Sequence, residues 1–237
     1  MMYEHSGNDT PPWREKRQMK LTVFGASGGT GSQVVSQGLD AGHEIVAVVR
    51  DPARLPVSHP NLTVVTADVL RPGDIADTVA GRDAVISALG HSRRRAERTV
   101  NSAHPTLCAD TARSIVAAMR DTGARRLVIV SASGPYADAG DGLLLRYVAK
   151  PILGRTVFKT AWADHVAMEE VVRASGLDWT VLRPPALTDK PLTGRYRTRD
   201  GMNLRGGLTV CRADVAHLAL AVADDPDSYR TAIYLAN

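Results

Sequence analysis

The stretch VFGASGGTGSQVV, residues 23–35, decides how the chain is read. It places Gly25, Gly28 and Gly31 as G-x-x-G-x-x-G directly after the apolar run KLTVFG, residues 20–25, and at the start of an amphipathic segment over 28–41 that stops before Gly42. An apolar strand, a glycine turn and a helix in immediate succession form a loop whose backbone can approach a phosphate closely. The charge of that phosphate then rests on the free amides and positive dipole end of the helix. Ser27 and Thr30 add hydroxyl donors, and Gly29 keeps the loop open.

Outward from this stretch the chain alternates. HEIVAVV (43–49), LTVVTAD (62–68), DAVISALG (83–90), LVIVSAS (127–133) and LDWTVLRPP (177–185) read as strands. Helical segments fall over 104–122, 160–175 and 211–226, and AIYLA closes the chain. The early strands are apolar on both faces, the pattern of a parallel sheet covered by helices on each side. The expected fold is an α/β, Rossmann-type doubly wound sheet in one domain, residues 19–237, with a small C-terminal region on the substrate side. Residues 1–18, polar and aperiodic, read as a disordered extension. Residues 134–158 break the rhythm after a strand end and read as a lid or substrate wall, or as a docking surface for a second subunit.

Composition excludes several classes. The 237 residues carry 29 Lys+Arg against 25 Asp+Glu, too small an excess to mark a nucleic-acid binder. Part of it sits in one loop, Arg93, Arg94, Arg95 and Arg98, without a recognition module, so an anionic small ligand is the simpler partner. Cys108 and Cys211 lie far apart in apolar stretches and read as buried thiols, with no metal site. No apolar run reaches the roughly 20 residues that span a bilayer, so no membrane partner is expected. The N-terminus has no apolar signal core, which makes a cytoplasmic location the default.

At the end of the second strand, where an NAD-selective protein places an acid, the sequence is AVVRDPARL. Arg50 stands at that strand end and Arg54 one turn beyond, so a 2′-phosphate is the expected partner and NADPH the expected cofactor. A surface salt bridge from Arg50 to Asp51 is the plain alternative. Asp68, with Val69 beside it, is placed to accept from the adenine amino group. Ala88, Leu89 and Gly90 end the fourth strand along the path to the nicotinamide.

Together VFGASGGTG, VVRDPARLP, ADVL, AGRDAVISALG, ASGLDWTVLRPP and PLTGRY resemble the NAD(P)H-binding, atypical short-chain dehydrogenase/reductase family. The nearest branch is that of biliverdin-IX-beta reductase, also called flavin reductase. The resemblance runs from about residue 20 to the C-terminus. It implies NADPH-dependent hydride transfer on a Rossmann fold by a monomer or homodimer, with Ser131 and Pro184 among the cofactor contacts and His91, Tyr136 and Trp162 toward the substrate. The chain departs from the branch at Ala186, where that enzyme carries a histidine, and in the leucine- and arginine-rich segment 134–158.

Typical members of the superfamily pair a strand-five serine with Tyr-x-x-x-Lys on the next long helix. Ser133 fits the serine position. The tyrosine window falls on Ala161–His165 of TAWADHVAMEE (160–170), so the tyrosine is missing and His165 stands where the lysine would. His165 could donate a proton, hold the nicotinamide ribose, or bond to Glu169 one turn away. A ketone leaves an alkoxide that needs a donor in the site, whereas a flavin or quinone spreads the incoming charge. The missing tyrosine therefore favours a small planar acceptor. A non-catalytic NADP(H)-sensing, NmrA-like module and a natural-product isomerase or epimerase are the rival readings.

Overall fold

Strand residues alternate between two apolar layers, and that alternation sets the architecture. In the computed structural model, which describes residues 17–90, 105–156 and 158–237, strand β1 (Lys20–Phe24) sends Leu21 and Val23 to one layer and Phe24 to the other. The next strand, β2 (Glu44–Val49), does the same with Ile45, Ala47 and Val49 against Val46 and Val48. The remaining sheet strands are β3 (Leu62–Thr66), β4 (Ala84–Ser87), β5 (Arg126–Val130), β6 (Asp178–Arg183), β8 (Arg197–Asp200) and β10 (Thr231–Ala236). They form an eight-stranded sheet in the order β3-β2-β1-β4-β5-β6-β10-β8, parallel except for the edge strand β8. Two short strands, β7 (Ala186–Thr188) and β9 (Thr209–Cys211), pair beside it.

One face is covered by α1 (Gly29–Asp40) and α6 (Arg212–Ala223). The other is covered by α2 (Pro72–Val79), α3 (Leu107–Thr122) and α5 (Lys159–Arg173). This is the expected Rossmann-type sheet. Element bounds agree with the sequence pattern to within a few residues; α2 and β8 had no clear apolar period to announce them.

Several helix ends are closed by side chains from elsewhere. Asp164 on α5 accepts from the amides of Cys108 (2.8 Å) and Ala109 (2.9 Å), and so caps the N-terminus of α3. Arg120 returns from α3 to the end of α5, donating to the carbonyls of Ser175 (2.7 Å) and Ala174 (3.2 Å). Buried Arg126 donates to the carbonyls of Val222 and Ala223 at the end of α6, where a cation also complements the helix dipole. Burial pushes its pKa down to about 10. In PLTGRY the amides of Thr193 (2.9 Å) and Gly194 (3.0 Å) donate to Asp214 of α6, which ties the loop to the domain.

Within segment 134–158, residues 145–155 are helical. A wide helical turn, Leu145–Ala149, runs directly into α4 (Lys150–Arg155). Pro151 cannot donate to the carbonyl of Tyr147, and the helix widens just before it. Both cysteines are buried thiols, in no disulfide among the described residues, as their apolar settings indicated.

Candidate active site at the carboxyl ends of the strands

The strand order reverses between β1 and β4, and the glycine loop leaves the sheet at that point. Open parallel sheets bind ligands in the crevice such a reversal creates. Gly25 follows β1 with φ +76°, and a Cβ there would stand 2.9 Å from the Ala88 carbonyl group beyond β4. A Cβ on Gly31 would lie 2.0 Å from the Gly25 carbonyl oxygen. The tight turn therefore requires glycine at both positions. Gly28 precedes the helix with no side-chain cap, which leaves the first amides of α1 pointing into the crevice. Open space lies around Gly90 as well. This backbone cradle fits a dinucleotide pyrophosphate.

At the sheet end Arg50 is exposed and has no ion pair with the described residues. Asp51 does not hold it: its carboxylate accepts from the amide of Ala53 at 3.1 Å, capping the turn Pro52–Arg54. Asp68 is exposed beyond β3, one oxygen accepting from the Leu70 amide at 3.1 Å, with Val69 half-buried beside it. The Ala67 amide reaches the Val49 carbonyl (3.3 Å), which holds the ends of β3 and β2 together. Ser27 lies within the turn, and Thr30 is buried in the first turn of α1.

On the far side of the reversal, the amide of Ser131 donates to Leu182 (2.8 Å) and that of Ser133 to Pro184 (2.9 Å), so the ends of β5 and β6 run together. Ser131 turns inward, its hydroxyl donating to Glu169 at 2.7 Å. Glu169 is fully buried and also receives Arg173 and the Nε and Nη2 of Arg183, whose Nη1 donates to the Tyr234 hydroxyl at 2.6 Å. Burial alone would lower the Arg183 pKa, but its bonds to the Glu169 carboxylate outweigh that and raise it. Tyr136 lies under Arg183, ring centroid 3.4 Å from the guanidinium carbon, with its buried hydroxyl unpartnered. Burial, reinforced by the Glu169 charge, pushes that hydroxyl up to about 12, so it serves only as a neutral donor.

His165 is half-buried one turn before Glu169. Trp162 is wedged between backbones: a Cβ on Gly134 or on Gly154 would stand 2.7 Å from its ring. It also stacks on Phe158 at 5.6 Å. These contacts pack the indole into the wall beside the serine loop. His91, and the arginines of the 93–98 loop, lie outside the described residues.

Sequence reasoning missed the buried partners. Arg183 could have been noticed as a cation closing the apolar run of β6, but its pairing with Glu169 across elements leaves no local trace. Arg212 is a second case. Its side chain lies over the glycine loop, where a Cβ on Gly29 would meet its Cδ at 2.7 Å, and Asp189 holds its guanidinium.

Comparison with known proteins agrees with this geometry. The model of a family described as NAD(P)H-binding matches residues 25–226, and the chain belongs to that family. An uncharacterized chloroplastic protein of Arabidopsis thaliana is 30% identical over 218 residues, 89% of this chain and 74% of its own length. A 3-diazoavenalumate denitrifying reductase of a Streptomyces species is 33% identical over 205 residues, covering 79% of this chain and 62% of that one. A short-chain dehydrogenase/reductase of Veillonella parvula, solved in complex with NADP, superposes with TM-score 0.76 at 19% identity, over 93% of this chain and 95% of that one. A nicotinamide dinucleotide is therefore the cofactor class of this chain. The likeness to the biliverdin-IX-beta reductase branch rests on the sequence motifs alone.

Proposed function

We propose that this member of the NAD(P)H-binding family is an NADPH-dependent reductase of a planar, conjugated small molecule such as a flavin or quinone. The observation that carries the reading is the contrast at the crevice. Its phosphate side presents open glycine amides and an Arg50 with no ion pair among the described residues, while Ser131 beyond β5 is committed to a closed ionic cluster, which leaves Ser133 as the hydroxyl of that strand end, and no tyrosine stands in the helix window. Such a site orients two reactants well and protonates poorly.

When bound, the reduced dinucleotide supplies a hydride. The chain's residues do the rest. The Gly25–Gly31 loop would hold the pyrophosphate, with Arg212 over Gly29 adding a cation from the start of the neighbouring helix α6. Arg50 would take the 2′-phosphate and Asp68 the adenine amino group. Ala88, Leu89 and Gly90 would leave room for the ribose and nicotinamide, beside Ser133 and Pro184. His165 would hold the ribose hydroxyls in the place of the missing lysine. Tyr136 and the Trp162 wall would border a flat acceptor, whose balancing proton can come from water because its ring disperses the incoming charge.

The test is NADPH oxidation by the purified protein with FMN and then a panel of soluble quinones. Turnover above background is expected with at least one. If bound NADPH is never oxidised, the reductase reading fails and the NADP(H)-sensing one takes its place. His165→Ala then separates the two uses of that residue. Little change in kcat with a raised KM for NADPH is expected of a ribose ligand, whereas a fall in kcat of about tenfold or more would mark a proton donor.

A further inference from the structure

Six of the ten large apolar residues exposed among the described ones fall within eleven positions: Leu143, Leu144, Tyr147, Val148, Ile152 and Leu153. Leu143 and Leu144 are 76% and 74% exposed, against 37% for an isolated case such as Leu70. Single apolar side chains on a surface need no account; a contiguous patch does. The patch lies on the wide turn Leu145–Ala149 and α4, and it is not a loose flap. On its inner side Lys150 is buried, donating to Asp141 (2.8 Å) and to the Tyr136 carbonyl (2.6 Å). The Trp162 wedge against Gly134 and Gly154 fixes its other end.

The charge around the patch has one sign. Arg146, Arg155 and Lys159 accompany it, and the sequence has no acid between Asp141 and Asp164. Those two acids face inward, Asp141 to Lys150 and Asp164 to the Cys108 and Ala109 amides. Arg146 lies over the Tyr147 ring at 5.1 Å, and none of the three cations has an ion pair among the described residues. A second copy docking this face on itself would bring cations against cations with no acid to offset them. An anionic bilayer matches both properties at once. Its headgroup phosphates suit the cations, and its acyl boundary suits leucine, isoleucine and tyrosine side chains.

We infer that the face carried by residues 143–155, with Lys159 beside it, forms a seat on anionic lipid surfaces, with Leu143, Leu144, Tyr147, Val148 and Ile152 entering the interface and Arg146, Arg155 and Lys159 pairing with lipid phosphates. Seating is peripheral: among the described residues no helix is long and apolar enough to cross a membrane. The same segment follows the Ser133–Tyr136 loop, so the seat brings the open side of the crevice to the bilayer. Taken with the proposed reductase activity, on which this last step rests, it selects a lipid-dissolved planar acceptor over a water-soluble one.

Sedimentation of the full chain with vesicles tests the seat without cofactor or acceptor. Retention is expected on phosphatidylcholine mixed with phosphatidylglycerol, weaker retention on phosphatidylcholine alone, and release by salt. Leu144→Ser with Ile152→Ser should remove retention while leaving melting temperature and NADPH binding unchanged, since both side chains are exposed. Arg155→Gln with Lys159→Gln should weaken it by about fivefold per cation. Failure to bind the mixed vesicles, or equal retention of the serine variant, overturns the inference. So does self-association that the serine variant abolishes, because the face would then belong to a second copy. NADPH oxidation with FMN, run without vesicles, reports on the reductase reading separately, so failure of one leaves the other standing.

Discussion

The two sides of the crevice are built by opposite means. The phosphate side is made of backbone: Gly25, Gly28 and Gly31 remove side chains so that amides face outward, and Arg50 is exposed without an ion pair among the described residues. The β5–β6 side is made of side chains that have already found each other, with Ser131, Arg173 and Arg183 converging on a buried Glu169. A site of the first kind waits for a charged ligand. A site of the second kind is self-sufficient and holds shape. The residues nearest the expected proton chemistry are therefore framework as much as machinery.

The largest effect expected from breaking this contrast is on the framework side. Glu169→Ala leaves the Arg183 guanidinium buried without its carboxylate, a change that costs about 3–5 kcal/mol and roughly 10 °C in Tm. Replacing both, Glu169→Leu with Arg183→Met, should recover most of that loss, because the penalty comes from the orphaned charge. Thermal melting of the two variants beside the unaltered protein measures it. If the single and double variants melt alike, the cluster is not acting as a paired unit. On the phosphate side Gly31→Ala forces a methyl against the Gly25 carbonyl oxygen, so the loop must open. NADPH affinity should fall by about a hundredfold, ~2.7 kcal/mol, in a fluorescence titration, with a smaller change in melting. A loss of stability as large as that of Glu169→Ala would erase the distinction between the two sides.

The same contrast explains what could be read from the sequence. Strand alternation, helix ends and the glycine turn are local, carried by residues next to one another, and all appear where the pattern of 20–49 put them. The position of Arg50 was legible because it follows a strand end, also a local feature. The Glu169–Arg183 pair, the Asp164 cap on α3 and the placement of Arg212 over Gly29 join residues 14, 55 and 183 positions apart, as numbered. No periodicity connects such residues; only the folded topology does. Within TAWADHVAMEE the acids illustrate the limit: Asp164 caps, Glu169 anchors a cluster, Glu170 is exposed, and the sequence presents the three alike.

Arg50→Glu is the next expected effect and sharpens the phosphate side. Removing a charge-assisted contact to a 2′-phosphate costs about 2 kcal/mol, so NADPH should bind roughly thirtyfold more weakly. NADH, which lacks that phosphate, should bind nearly as before. Calorimetry with both nucleotides measures the ratio, and equal losses would mean that Arg50 does not read the phosphate.

The smallest expected effect is one of pH, and it again separates the two sides. Under the phosphate-side strands, at the amino end of the sheet, lies a buried histidine. His43 is 1% exposed, and its Nδ1 accepts from the Met19 amide at 3.3 Å, just before β1. Burial lowers its pKa from the usual 6.5, against the opposing pull of Asp224 and Asp83. The folded state therefore holds its proton less readily than the unfolded chain does. Its contribution is fully present above pH 6.5 and is lost as the pH falls below that value, where protonation also removes the acceptor for Met19. Melting temperature should decline with acid through this window, and His43→Gln, which keeps an acceptor without titrating, should flatten the decline. Hydrogen exchange locates the change: amides of β1 should lose protection before those of β5, whose neighbouring Glu169 is already paired with arginines. Equal loss in both strands would place the acid sensitivity elsewhere than His43.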